Sequence, residues 1–235
     1  MKYRRSKLGV AWSVLMPLGL ALIVGGVYSI LFSTPPRQLI PLIFASINPW
    51  IFMSGTADAA TMAFPAAEGY IKQSTVSSII FPLRTALTNF VTLLYSVITF
   101  FGIYLFLEPN RFGPIMLLCI PGLLIMFLFS LGLANMTSVI NLHIRDFAPL
   151  QSLVFQGLFY ATPIIYDAQV IADRGYAIVY EINPFFYMLE VVRRPMLGSA
   201  PEIRYYLVAI VLSFLVFTAG VSVQVRNRKS IAFLL

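Results

Sequence analysis

Asp58 stands alone as the acid deep inside a long apolar stretch of this chain. A carboxylate facing lipid there would cost roughly 2.5–3.5 kcal/mol, so it must face a wet cavity or a symmetry axis, or be paired locally. A residue of a solute pathway and a paired structural residue fit that position equally. The other reactive side chains are isolated. His143 is the one histidine and Cys119 the one cysteine, which leaves no histidine metal cluster and no disulfide framework. The chain carries no Gly-x-x-x-x-Gly-Lys-Ser/Thr phosphate loop, and no His-Glu-x-x-His, Gly-x-Ser-x-Gly or dinucleotide fingerprint. No catalytic residue, metal site or cofactor is therefore expected in the chain. A proton- or sodium-coupled carrier often holds several intramembrane ionisable groups, so the energy source is expected on another polypeptide.

The elements that would hold these residues are apolar on a scale that a water-soluble chain does not reach. Of 235 residues, 59% are hydrophobic and 11% charged, and the mean hydropathy is +0.86. A soluble domain is about 45–50% apolar and about 25% charged. Lipid must be the solvent for most of this chain, and only helices or closed barrels satisfy their backbone there. Barrel strands alternate apolar and polar residues, whereas the runs here are unbroken. They cover Val14–Phe32, Leu39–Ala67, Phe81–Leu107, Pro114–Val139, Ala148–Ile165 and Tyr205–Val225. The second contains Pro41 and Pro49 and exceeds the length of a span, so it is expected to tilt or kink. The expected fold is all-α integral membrane, with about six transmembrane helices in a single transmembrane domain over residues 1–235. The run from Val14 is too long, and lacks the small-residue cleavage site, for a signal peptide.

The formal charge of +7 is distributed as a topology signal, and no nucleic-acid partner is expected. Six spans put both termini on one side, together with the loops around Lys72 and His143. That side holds ten Lys and Arg against six on the other. By the positive-inside rule it is cytoplasmic, and its basic ends suit anionic headgroups, so membrane lipids are expected partners.

Between the fifth and sixth spans, Tyr166 to Arg204 lie on the outer side. The apolar stretch after Pro184 is too short to cross a bilayer and reads as a re-entrant or interfacial helix. Asn183 can cap its start, Pro184 suits the first helical position, and Gly198 before Pro201 would end it. Its Arg193 and Arg194 are expected to stay at the membrane interface by snorkelling. Irregular backbone at membrane depth is tolerated where it lines a wet cavity or is buried in protein, so this segment is read as a gate at the outer mouth of a pathway.

Several motifs then carry a resemblance. The opening Tyr3-Arg4-Arg5-Ser6-Lys7-Leu8-Gly9-Val10-Ala11-Trp12 is followed by Ala67-Glu68-Gly69-Tyr70-Ile71-Lys72-Gln73, Asn141-Leu142-His143-Ile144-Arg145-Asp146 and Thr162-Pro163-Ile164-Ile165-Tyr166. Asn183-Pro184-Phe185 and Leu189-Glu190-Val191-Val192-Arg193-Arg194-Pro195-Met196-Leu197-Gly198 complete the set. In this order they resemble the permease subunits of polysaccharide-exporting type-2 ABC transporters, the exporters of O-antigen, capsule and teichoic acid. The likeness covers essentially the whole chain. It departs at the start, where family members carry a longer amphipathic stretch before the basic opening, and the resemblance implies that this interface helix is shortened here.

The resemblance implies the type-2 ABC exporter fold and a homodimer in the bacterial inner membrane. The two copies would enclose a channel for a lipid-linked polysaccharide, and two separate ATPase subunits would hold the ATP and Mg. It implies that Glu68, Gly69, Tyr70, Ile71, Lys72 and Gln73 form a coupling helix that docks on the ATPase, where the plain alternative is an ordinary loop. Arg4, Arg5 and Lys7 would sit at the cytoplasmic interface as topology signals, with contact to the ATPase or to substrate phosphate as an addition. Arg145 and Asp146 are read either as a lock near the ATPase or as a helix start capped by Asp146. Phe159 and Tyr160, with Asn183, Pro184, Phe185, Phe186, Tyr187, Arg193 and Arg194, would belong to the channel and its gate. Aromatic faces suit the apolar C–H surfaces of sugar rings, and packing or an interfacial belt is the alternative for them. A small-molecule or lipid exporter of the same fold is the competing function, ahead of an ion channel, a secondary carrier or a membrane enzyme.

Overall fold

The computed structural model describes residues 11–73 and 76–234, so Arg4, Arg5 and Lys7 lie outside the described residues. Among the described residues the regular structure is helical, with no strand. Five helices are long and apolar enough to cross a membrane. They are α1 (Trp12–Leu31), α2 (Pro36–Thr61), α4 (Ile80–Leu107), α5 (Cys119–His143, led in by a 3₁₀ turn from Pro114) and α10 (Ile203–Arg226). Shorter helices complete the chain: α3 (Glu68–Gln73), α6 (Phe147–Ala161), α7 (Ala168–Ala172), α8 (Ile178–Glu181), α9 (Pro184–Met196) and α11 (Arg228–Leu234).

The helices α2 and α5 form the centre, with α1 and α4 packed on α2 and α10 packed on α5. The outer helices turn bulky apolar side chains outward, among them Ile23, Ile30, Ile98, Phe106, Ile210 and Phe214. An apolar surface of that extent is the mark of a lipid contact. The helices α5 and α10 run parallel at a constant offset. Tyr206 Oη donates to the Leu118 carbonyl and Ser213 Oγ to that of Ile125, each pair 88 residues apart. The next step in the same register brings Gly220 onto Gly132, where a Cβ on either glycine would overlap the partner backbone. In lipid there is no hydrophobic drive between helices, and small residues that let backbones touch take its place.

Two expectations change at the elements nearest the site. The second apolar run does not continue as helix to Ala67. It breaks after Thr61 into a turn and a 3₁₀ segment, Pro65–Ala67, before α3. The expected fifth span is α6, of 15 residues, about 22 Å at the helical rise and short of the roughly 30 Å of hydrocarbon. Pro163 is the reason. It holds Thr162 in extended backbone (φ −93°, ψ 132°) and so ends the helix.

The segment after Pro184 forms the expected helix, but Arg193 does not take its expected place at the interface. Asn183 Oδ1 accepts from the Phe185 amide at 3.0 Å, and Gly198 closes the far end at φ +80°, as a left-handed C-terminal cap requires. The helix α9 between them is packed against α5, α10 and α2. Glu190 is 0% and Arg193 4% exposed, so Arg193 does not snorkel to an interface. It is held inside by ion pairing, with Glu190 bonded to both Arg193 and Arg194. Neighbouring protein satisfies the charges here, which removes the need for water.

Candidate functional site

On α2, Trp50, Ser54 and Asp58 recur every four residues and therefore share one face of the helix. On α6, Pro149, Ser152, Leu153, Gln156, Phe159 and Tyr160 follow the three- and four-residue spacing of a second face. These two faces meet across an open cleft of about 600 Å³. One end is polar and the other aromatic. At the polar end, Asp58 Oδ1 accepts from Gln151 Nε2 at 2.8 Å and from Ser152 Oγ at 3.3 Å. Asp58 is thus both paired locally and exposed to the cleft, so the two alternatives open for it are not exclusive. At the aromatic end, Trp50 meets Phe155 at 6.3 Å and Phe159 at 5.9 Å, edge to face, and Phe185 of α9 at 5.4 Å.

The channel residues read from the sequence divide between two places. Phe159, half-buried, and Tyr160, 67% exposed, line the cleft. Phe185 and Phe186 are core residues of this chain, 6% and 1% exposed, and Phe185 buttresses Trp50 from behind. Tyr187 is half-buried, and its hydroxyl donates to the Glu181 carbonyl at 2.7 Å. Asn183 Nδ2 donates to Thr162 Oγ1 at 2.7 Å, which joins the start of α9, at Pro184, to the end of α6. Arg193 Nη1 reinforces that joint by donating to the Pro163 carbonyl at 2.6 Å and to Ser46 Oγ of α2 at 3.3 Å. Asn183 and Arg193 therefore belong to the support of the cleft, not to its wall, and Arg194, bonded to Glu190, does not line it either.

Sequence reasoning missed Trp50, Ser54, Gln151, Ser152 and Gln156. The four-residue spacing from Trp50 to Asp58 was a usable signal, but its partner face lies some ninety residues away.

A second feature lies at the end of the bundle where α3, α11 and the last turns of α5 converge. Phe64, Val139 and Ile231 form a small core there, with Ile71 packed against it. Ile71 therefore faces inward rather than outward. Tyr70 is 73% exposed, and Lys72 pairs with Glu68 at 2.7 Å on the outer face, beside exposed Gly69 and Gln73. Arg145 and Asp146 are both exposed at this end. Asp146 stands at the N-cap position of α6 without a side-chain cap bond, so the capping alternative does not hold. His143 is exposed and its Nδ1 donates to the Val139 carbonyl at 3.0 Å. Among the described residues no group of His, Cys, Asp and Glu could hold a metal.

Residues 1–197 match the family model described as ABC-2 type transporter. Two O-antigen export system permease proteins RfbA from Klebsiella pneumoniae are each 24% identical over 228 residues, covering 95% of this chain and 86% of the relative. A third relative of the same name, from Myxococcus xanthus, is 25% identical over 189 residues, covering 78% of this chain and 70% of the relative.

Proposed function

The chain belongs to the ABC-2 type transporter family of multi-pass membrane proteins, and from that premise we propose that it is the permease of an exporter of lipid-linked polysaccharide across the bacterial inner membrane. The observation that carries the reading is the cleft between α2 and α6. A strip of aromatic rings beside hydroxyl, amide and carboxylate groups suits sugar units, whose faces are apolar and whose rims are hydroxylated. Stacking on Trp50, Phe159 and Tyr160 would guide a chain without holding it, and conduction needs binding weak enough to release.

In this reading two copies face each other, each supplying one grooved wall of the channel, since one copy presents an open cleft rather than a closed pore. Two separate ATPase subunits, which hold ATP and Mg, dock at the end that carries α3. The exposed Tyr70 and the Glu68–Lys72 pair are the contact surface, and Arg145 with Asp146 lies beside it. The positive-inside rule, applied to the basic residues of the sequence, supports a cytoplasmic position for that end.

The test is made in a cell. Removing the gene should strip polymer from the surface and leave lipid-linked chains inside, and supplying the chain with its ATPase should restore export. Undiminished surface polymer in the deletion strain would overturn the assignment.

A further inference from the structure

The cleft carries one formal charge, and that charge is negative. Among the described residues, Asp58 is the only ionisable side chain on its wall apart from the Tyr160 phenol, and no Lys or Arg lines it. Within the two parent helices cations are absent or distant, and Arg145, exposed two residues before α6, does not line the cleft. The α6 segment Phe147–Ala161 has none, and the one cation of α2 is Arg37, 21 residues before Asp58, about 31 Å away along the helix. The two groups that hold Asp58, Gln151 and Ser152, are neutral donors. They orient the carboxylate without cancelling its charge. Both bond to Oδ1 of a residue that lines the cleft. Field is focused in a cleft with low-dielectric walls, and helices in lipid supply such walls.

We propose that this cleft is a charge filter: Asp58 admits glycans with uncharged repeat units and rejects those that carry carboxylate or phosphate on the repeat. The proposal rests on the polysaccharide-export reading above and adds the substrate class. The chemistry runs in one direction. Sugar hydroxyl and N-acetyl N–H groups donate to a carboxylate, whereas the carboxylate group of a uronate, or a phosphodiester, offers acceptors only and brings a like charge. Like-charge juxtaposition in a partly desolvated site is a strong means of rejecting the wrong partner. With two copies facing one another, both walls would carry the same sign.

The experiment uses the chain with its ATPase subunit in proteoliposomes. The probes are a lipid-linked neutral hexose polymer and the same polymer with uronic acid in each repeat, and the readouts are stimulated ATP hydrolysis and glycan movement. The neutral polymer should be exported and the acidic one at least about tenfold less well. Asp58→Asn preserves side-chain size and should collapse the difference. Gln156→Lys, which puts a cation on the cleft wall, should raise export of the acidic polymer, a gain that misfolding cannot produce. Equal export of both polymers by the unmodified chain, or a difference that survives Asp58→Asn, overturns the filter and leaves the export reading standing. If neither polymer is exported or stimulates hydrolysis, the export reading itself fails, and the filter with it.

Discussion

Arg193 Nη1 donates to the backbone carbonyl of Pro163, 30 residues earlier, at 2.6 Å from a fully enclosed position. That bond ties the buried helix α9 to the point where Pro163 ends α6, and Ser46 Oγ extends the tie to α2. The cleft between α2 and α6 is therefore set by a charged side chain that does not line it. Glu190 compensates the charge.

Truncating Arg193 should be severe, because it strands Glu190 in the interior. Arg193→Met is expected to destabilise by about 3–5 kcal/mol, the range for breaking a buried pair, softened to the extent that Arg194 still reaches Glu190. The double variant Glu190→Gln/Arg193→Met should recover part of the loss, since no buried charge remains unpaired. Thermal unfolding of the purified protein in detergent reads both. A double variant no better than the single one would mean that the pair does not carry the stability.

Gly132→Ala and Gly220→Ala should each destabilise by about 1–3 kcal/mol, the range for overpacking. The Cβ at Gly132 would lie 2.6 Å from the Phe217 amide nitrogen, in rigid backbone. Gly102→Ala is the control, with nothing within 4 Å of the new Cβ. It should be neutral or slightly stabilising, as a glycine removed from a helix interior. Melting temperatures that rank the three variants otherwise would contradict the parallel packing of α5 on α10.

At the α3 end, two neighbouring residues should fail in different ways. Ile71→Asp places a carboxylate against Phe64, Val139 and Ile231 and should lower the stability of the permease on its own. Tyr70→Ala should leave that stability nearly unchanged while weakening co-purification with the ATPase subunit. Comparing melting temperature with pull-down yield separates the two. Loss of pull-down by Ile71→Asp alone, with Tyr70→Ala inert, would place the ATPase contact elsewhere.

Cysteine accessibility should distinguish cleft, core and lipid face. With Cys119 replaced, cysteines at Tyr160, Ser152, Asp173 and Ser199, all exposed, should label quickly with a membrane-impermeant thiol reagent. Those at Phe186 and Leu189, both buried, should label slowly. A cysteine at Ile98, exposed on an outward apolar face, should stay unlabelled because lipid excludes the reagent. Slow labelling at Tyr160 and Ser152 would mean that the cleft is filled by lipid or protein rather than water.

Much of the fold is legible in the sequence. Unbroken apolar runs mark helices in lipid because an unpaired backbone is intolerable there, and five of the runs correspond to helices of spanning length. Asn183-Pro184 and Gly198 bounded α9 because caps are local chemistry, decided within a few residues. Asp58 drew attention because a lone acid in an apolar run needs a partner or water. The depth of α9 was not legible. Apolar residues are excluded from water alike by lipid and by a protein core, so hydropathy cannot say which surrounds Phe186 and Leu189. Nor could composition pair Glu190 with Arg193 in the interior, because in sequence both read as surface charges. The cleft itself needed tertiary structure for the same reason. The spacing of Trp50, Ser54 and Asp58 defines a face of α2, but only the crossing with α6, held by Arg193 from behind, decides what that face meets.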